Sequence, residues 1–429
     1  MVNVPPPLLL LGGALKPAGA DCMDQAEQRG VGVVLADTRE NLDRFPDLAA
    51  RAVAAVALAY SDPGSVLGWL ARSPQRRFLG VYGTRETAVE SVAAAAELLG
   101  LPGNGLLATR RIRDKAACRA ALAGLGFRQP PSALCACRQE LRDFMAASGP
   151  GPWVVKPPTG RGSAGVCLVR DEGGLDDALA HLAAARQVLA ADLTRQGIAP
   201  GLVPEPAGGV LIERFQAGAE FSAEGVFVDG VPRLLALTSK ITTGPPHFIE
   251  LGHSMPAELP AGVGAEVART LAHALPGLGL RFGAFHVEFW LEDDSQVVLG
   301  EVHARPGGDY IHVMAQYVSD VQMHGVVLDQ LLGVEVAAAA WAPARGAAVR
   351  FLTPPPGVVL AVDGWADVLA SPHFLGGKLT LAAGDEIAPL KSSFDRSSFV
   401  CAAGADGREA AAAADRLAER VRIKVRRAR

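Results

Sequence analysis

Two neighbouring stretches decide the fold: Gly283-Ala-Phe-His-Val-Glu288, running on through Phe289 and Trp290, and Val298-Leu-Gly-Glu-Val-His-Ala-Arg-Pro-Gly-Gly-Asp309. Each reads as an apolar strand interrupted by a carboxylate. A charged residue among apolar neighbours is costly unless it is paired or holds a metal. If the two strands pair, Glu288 and Glu301 face one site, and hard oxygen ligands placed this way suit Mg²⁺ carrying phosphates. His303 and Arg305 follow Glu301 with period two, so they share its face as far as the strand continues. Arg305 then offers a fork of donors to an anion. The alternative is a buried Glu–Arg ion pair that serves only the fold. Four polar groups converging on one face favour a site.

Upstream, Trp153-Val-Val-Lys-Pro-Pro-Thr-Gly-Arg-Gly-Ser-Ala-Gly165 carries a strand into a glycine-rich loop. Gly160, Gly162 and Gly165, with Ser163 among them, let the backbone approach phosphate oxygens and aim N–H groups at them. Lys156 at the loop's edge supplies a point charge. No Gly-Lys-Ser/Thr follows, so this is not a Walker A loop. A flexible hairpin beside a surface lysine has the same pattern. Further on comes Leu211-Ile-Glu-Arg-Phe-Gln-Ala-Gly-Ala-Glu-Phe-Ser-Ala-Glu224. An adenine ring can sit by Glu213, Arg214, Phe215 and Gln216 and bond to their backbone. Glu220 can then accept hydrogen bonds from ribose hydroxyls. An exposed hairpin with solvated glutamates is the competing reading.

The flanks supply the rest of the organisation. Leu8–Leu11, Gly32–Leu35, Val53–Leu58 and Phe78–Val81 alternate with helical stretches at Asp21–Arg29, Gly64–Ala71 and Thr87–Leu99, which predicts a parallel α/β domain. Gly12-Gly13 after the first strand is not a full GxGxxG, so a dinucleotide site is not supported. One basic helix is expected over Arg110–Leu125, a hairpin over Trp153–Val169, a helix over Asp176–Leu193, an exposed loop over Ala199–Gly209, and a final helix over Gly407–Arg429.

The chain has 429 residues, 49% hydrophobic and 20% charged, with a formal net charge of −4. Disorder is excluded, and nothing points to a nucleic-acid partner, which would show a basic excess. No run reaches the roughly 18 apolar residues of a membrane helix. The six cysteines are scattered without CxxC, the usage of a reduced, cytoplasmic enzyme.

Taken in order, Asp114-Lys115, Lys156, the glycine loop, Glu213, Glu220, Lys240, Glu288 and Glu301-x-His-x-Arg305 resemble the ATP-grasp superfamily. That family places an acidic residue about a dozen positions before a Glu-x-Asn-x-Arg motif that binds magnesium. Here Glu288 and Glu301 are thirteen apart, and His303 stands where the family usually has Asn. Ser239–Pro256, Arg305-Pro-Gly-Gly-Asp-Tyr-Ile311 and Val349–Gly357 are similar to the amino-acid (dipeptide) ligases of this superfamily.

The resemblance implies an α/β, Rossmann-like N-terminal domain (1–104) and an α+β ATP-grasp domain (105–345). The latter divides into a lid subdomain at about 115–210 and a catalytic subdomain at about 211–345, with the nucleotide held between them. A C-terminal subdomain (346–429) completes the chain. The implied activity is ATP-dependent ligation of a carboxylate to an amine through an acyl phosphate, releasing ADP and phosphate. Lys115, Lys156 and the loop would take ATP, Lys240 the γ-phosphate, and Arg305 the acyl phosphate. Glu288, Glu301 and His303 would hold Mg²⁺, or Mn²⁺, which tolerates the imidazole better. Gly307, Gly308 and His253 would face substrate. The expected partners are small-molecule acids and amines, with neither nucleic acid nor membrane, and a homodimer is compatible. The alternatives are a related ligase using bicarbonate or formate, and a non-catalytic ATP-binding module.

Overall fold

A computed structural model of the chain describes residues 4–73, 77–195, 198, 209–292, 296–337 and 342–427. The first four strands, β1 (Leu8–Leu11), β2 (Val33–Asp37), β3 (Ala54–Ala57) and β4 (Gly80–Gly83), form a parallel sheet ordered β3-β2-β1-β4. The unbroken apolar run of β1 is buried throughout because helices cover both faces of such a sheet. Two short helices, Arg39–Arg44 and Pro46–Arg51, fill the β2–β3 crossover. Thr84, Arg85 and Glu86 emerge at the carboxyl end of β4.

The expected basic helix is two helices, Leu106–Arg113 and Lys115–Gly124. Asp114 breaks the run by adopting extended backbone and accepting a hydrogen bond from the Ala117 N–H, an N-cap. Next comes a four-stranded antiparallel sheet of β5 (Ser132–Cys135), β6 (Trp153–Lys156), β7 (Cys167–Val169) and β8 (Val210–Arg214), ordered β5-β8-β6-β7. Leu141 and Met145 from one helix, and Leu175, Ala178 and Leu182 from Leu175–Arg195, cover its apolar face. The loop expected at Ala199–Gly209 lies outside the described residues, apart from Gly209.

The central sheet begins with β9 (Ala219–Val228), β10 (Val231–Thr242), β11 (Glu250–Met255), β12 (Ala284–Leu291), β13 (Val297–His303) and β14 (Gly346–Leu352). From there the chain alternates between two sheets. β16 (Phe374–Lys378) and β18 (Ser398–Gly404) extend the central one, while β15 (Gly357–Asp363), β17 (Glu386–Ile387) and β19 (Arg422–Arg426) form a small antiparallel one. The central order is β13-β12-β9-β10-β11-β14-β18-β16. The C-terminal segment therefore adds strands to the same sheet that carries Glu288 and Glu301. The last helix ends at Arg420, not at the terminus, because Val421-Arg-Ile-Lys-Val alternates with period two and pairs with β15. Among the described residues, no helix is long and apolar enough to cross a membrane.

The N-terminal sheet docks on the helices Ile311–Ser319 and Met323–Leu331. Arg29 grips Asp329 with two hydrogen bonds of 2.7 and 2.9 Å. Tyr82 shares a 3.1 Å hydrogen bond with Nδ1 of the fully buried His324. Burial, with His312 adding repulsion, lowers the His324 pKa to about 3; burial alone lowers that of His312 to about 4. Both values lie below the 6.5 of an unfolded chain. Between the two limits the unfolded state binds more protons, so stability falls as pH drops below about 6.5. Each group adds a slope of ~1.4 kcal/mol per pH unit. Urea midpoints of the wild type should therefore fall steadily from pH 6.5 to 5, and His324→Gln should flatten that fall; parallel profiles would refute the assignment.

Candidate active site

The expected pairing is present. β12 runs antiparallel to β13, with His286 opposite His303 and Val287 opposite Val302, and a bulge follows at Glu288. On its other edge β12 pairs with β9, setting Glu224 opposite His286, Ser222 opposite Glu288 and Glu220 opposite Trp290. Period two along each strand thus puts Glu220, Glu224, His286, Glu288, Glu301 and His303 on one face. That face is the floor of a cleft. Its lining includes Lys115, Lys156, residues 160–164, Glu213, Phe215, Gln216, Glu220, Glu250, Glu288, Trp290 and Glu301.

The roof is the glycine-rich loop. Gly160, Gly162 and Gly165 have φ of 138°, 65° and 78°, backbone that a side chain would strain, and Ser163 joins them at 54°. The Ser163 hydroxyl donates to the Phe248 carbonyl at 3.1 Å, which ties the loop to the β10–β11 connection. Lys115 reaches across the cleft, donating to the Gly160 carbonyl at 3.2 Å and pairing with Glu301 at 2.9 Å. Lys156 pairs with Glu213 at 2.5 Å, and Arg119 meets the same carboxylate at 3.1 Å. Burial pushes Glu213 up, but Arg119 and Lys156 outweigh it and keep it below the ordinary carboxylate range.

Arg214 and His253 depart from expectation, and Lys240 is found already paired. Thr238 pairs with Ser222, so Lys240 lies on the cleft face, its side chain 1% exposed and held by Glu288 at 2.6 Å, Glu220 at 2.7 Å and Glu250 at 3.4 Å. Burial opposes its charge, yet Glu220, Glu288 and Glu250 hold it well above the usual lysine value. Arg214 turns away and donates to the Ser148 carbonyl. The Arg214 and Phe215 amides are also taken, by the Pro131 and Pro152 carbonyls, so their N–H groups do not face a nucleotide. His253 is fully buried, with Nε2 3.4 Å from Asp309, and supports that residue from behind.

Glu86 is the residue that sequence reasoning missed. From the carboxyl end of β4 it accepts hydrogen bonds from Arg305 Nε at 2.7 Å and His303 Nδ1 at 2.9 Å, with Arg113 3.4 Å away. Strand carboxyl ends are where α/β sheets place ligand contacts, and that was the available signal. The second imidazole, His286, meets Glu224 through Nδ1 at 2.9 Å and stacks 5.6 Å from His303. Burial opposes its charge, but Glu224 and Glu288 raise its pKa to about 9. Gly307 backs onto Glu224, where a Cβ would meet the carboxylate at 2.9 Å, while Gly308 opens onto free space.

The donor set fits ATP and a divalent cation. Two lysines and a glycine-lined roof face two carboxylates, Glu288 and Glu301, whose present partners, Lys240 and Lys115, are themselves cations. His303 Nε2 lies 3.6 Å from Glu301, and its Nδ1 is anchored on Glu86, as in a histidine oriented for metal binding. Among the described residues, Glu250, His253 and Asp309 bring ligand atoms within 4.8 Å of one another. Lys240 and Arg396 already neutralise that group.

Family models match three segments: an ATP-grasp N-terminal domain over residues 23–103, an ATP-grasp domain over 150–313, and the L-amino acid ligase C-terminal domain 2 over 350–426. The chain belongs to the ATP-grasp superfamily. Over 187 residues it is 31% identical to carnosine synthase 1 of Gallus gallus, covering 43% of this chain and 19% of that protein. Over 223 residues it is 29% identical to a D-alanine–D-alanine ligase of Citrifermentans bemidjiense, covering 51% and 64%. It thus spans less than two thirds of either relative. The solved L-amino acid ligase of Bacillus licheniformis superposes with a TM-score of 0.78 at 22% identity, over 99% of this chain and 100% of that one, so the whole ATP-grasp fold is shared.

The Arg119–Glu213–Lys156 trio predicts a folding effect separable from ligand binding. Glu213→Gln leaves two buried cations short of their partner and should cost ~3–5 kcal/mol in urea unfolding. A loss under ~1 kcal/mol would show that water solvates the trio.

Proposed function

We propose that the protein is an ATP-dependent carboxylate–amine ligase that joins two amino acids, or an amino-acid-like acid and amine, through an acyl phosphate. The observation that carries the reading is the convergence of Lys115, Lys156 and the glycine-rich roof on Glu288 and Glu301, with Arg305 fixed at the same edge by Glu86. The C-terminal family match and relatives named for joining amino acids favour amino acids over bicarbonate or formate.

In this reading the adenine lies against Phe215, with the free hinge contacts falling to Gln216, and Glu220 faces the ribose. Lys115 and Lys156 leave their carboxylates to hold the α- and β-phosphates. Glu288, Glu301 and His303 would hold Mg²⁺, which when bound would supply positive charge against the transferring phosphoryl group. The acid's carboxylate oxygen takes the γ-phosphoryl group and ADP departs. The amine then attacks the acyl carbon, loses a proton, and phosphate leaves. Arg305 stabilises the anionic acyl phosphate and its tetrahedral successor, since its guanidinium is already aimed by Glu86. The roof excludes water, which would otherwise hydrolyse that intermediate. Lys240 contributes by keeping three carboxylates together.

The test is incubation with ATP, Mg²⁺ and pooled amino acids, following phosphate and product mass together. Phosphate accompanied by a mass equal to two substrates less water is expected. ATP binding without turnover across the pool would favour a non-catalytic role, and turnover only with bicarbonate a different acid. The imidazole at position 303 adds a second expectation. Nitrogen ligation favours Mn²⁺ over Mg²⁺, so His303→Asn should lower the Mn²⁺/Mg²⁺ ratio of kcat/KM; an unchanged ratio would remove His303 from the metal site.

A further inference from the structure

The turn Ser392–Arg396 precedes β18 in the C-terminal segment, yet it reaches two loops that border the cleft. The turn is built before it reaches them. The Asp395 carboxylate accepts from the Lys391 N–H at 2.9 Å, the Ser392 N–H at 2.7 Å and the Ser392 hydroxyl at 3.0 Å. On one side it grips the roof. The Ser393 N–H donates to the Gly162 carbonyl at 2.9 Å, and the Arg161 guanidinium lies 5.6 Å from the centre of the Phe394 ring. A Cβ on Gly162 would come within 3.3 Å of both Ser393 and Phe394, so roof and turn are in van der Waals contact.

On the other side the turn holds the loop after β13. Arg396, with its side chain 6% exposed, donates from both terminal nitrogens to Asp309, at 2.7 and 2.9 Å, and from Nη1 to the Glu250 carbonyl at 2.9 Å. Its flat face covers Phe351 at 3.8 Å. Asp309 and Tyr310 both have positive φ, 49° and 68°. Two consecutive non-glycine residues in the left-handed region persist only where the surroundings hold them. The Arg396 fork supplies that hold, and Arg396 Nε donates to the Ser393 carbonyl at 3.0 Å. One residue, Ser393, therefore gives its N–H to the roof and its carbonyl to the arginine that fixes Asp309.

We propose that the Ser392–Arg396 turn is a clasp that couples closure of the Gly160–Gly165 roof to the conformation of the Gly307–Ile311 loop. Closing the roof seats Ser393, and Ser393 aligns the Arg396 fork that holds Asp309 and Tyr310 in place. Arg396 is a positioning residue that acts through Asp309, so the acid-and-amine side of the cleft is completed only when the roof is down. This rests on the reading of the cleft as the ATP site.

Hydrogen exchange on the full chain, with and without a non-hydrolysable ATP analogue and Mg²⁺, tests the coupling. In the wild type the analogue should protect residues 160–165 and 307–311 together. Phe394→Ala removes the ring that lies against Gly162 and Arg161, and Arg396→Lys keeps the charge while losing the fork. Both should retain analogue binding and roof protection but lose protection at 307–311. Arg396→Lys should also raise KM for the amino acids on the order of tenfold or more while leaving KM for ATP nearly unchanged. Variants that bind the analogue and still protect 307–311 as the wild type does would overturn the clasp and leave the ATP site standing. A wild type that fails to bind the analogue would overturn both.

Discussion

The ammonium of Lys240 is the interaction around which the rest of the site is arranged. Glu220, Glu250 and Glu288 come from three different strands, and β10 places one lysine among all of them. Carboxylates this close and this buried repel one another and resist ionisation. The imbalance is visible in the pair that shares Lys240 most closely. Glu288 is held well below the ordinary range once Lys240 and His286 outweigh burial, whereas burial, with Glu288 and Glu250 nearby, leaves Glu220 raised despite Lys240. Glu288 is thus kept firmly anionic, and Glu220 is the weaker acid of the two.

A second constraint comes from the opposite domain. Glu86 is the only N-terminal residue seen in direct contact with both His303 and Arg305 among the described residues. Burial raises its pKa, but His303, Arg305 and Arg113 together drive it well below the carboxylate range. An arginine aimed by a buried carboxylate keeps its remaining donors in a fixed plane. The Rossmann-like domain therefore does more than cap the central sheet: its strand end fixes the Arg305 guanidinium. The docking contacts at Arg29–Asp329 and Tyr82–His324 hold the N-terminal domain on the helix Met323–Leu331.

Much of the site was legible because it is local in sequence. The spacing of Glu288 and Glu301, the Lys156–glycine loop unit and the hairpins all depend on period-two alternation and short turns, which a single chain displays directly. What stayed hidden depends on pairing between distant segments. Lys240 reads as a free cation until β10 is set beside β9 and β11. Glu86 and Arg396 lie more than two hundred and about ninety residues respectively from the groups they hold. Glu224 was within reach, since Glu220-x-Ser222-x-Glu224 repeats the alternation that marked Glu301-x-His303. The final helix was overextended because alanine and arginine favour helix, and only the alternation after Arg420 reveals a strand.

The continuity of the central sheet explains why a turn more than eighty residues beyond Asp309 can bear on it at all. β14 is hydrogen-bonded to β11 and β18 to β14, so the frame that carries Glu250 and His253 also carries Phe351 and, just before β18, Arg396. The roof has no such frame, because its strands β6 and β7 belong to the smaller sheet. The cleft therefore has one wall on the central sheet and one on the smaller sheet, and the Ser393–Gly162 contact lies where the two meet.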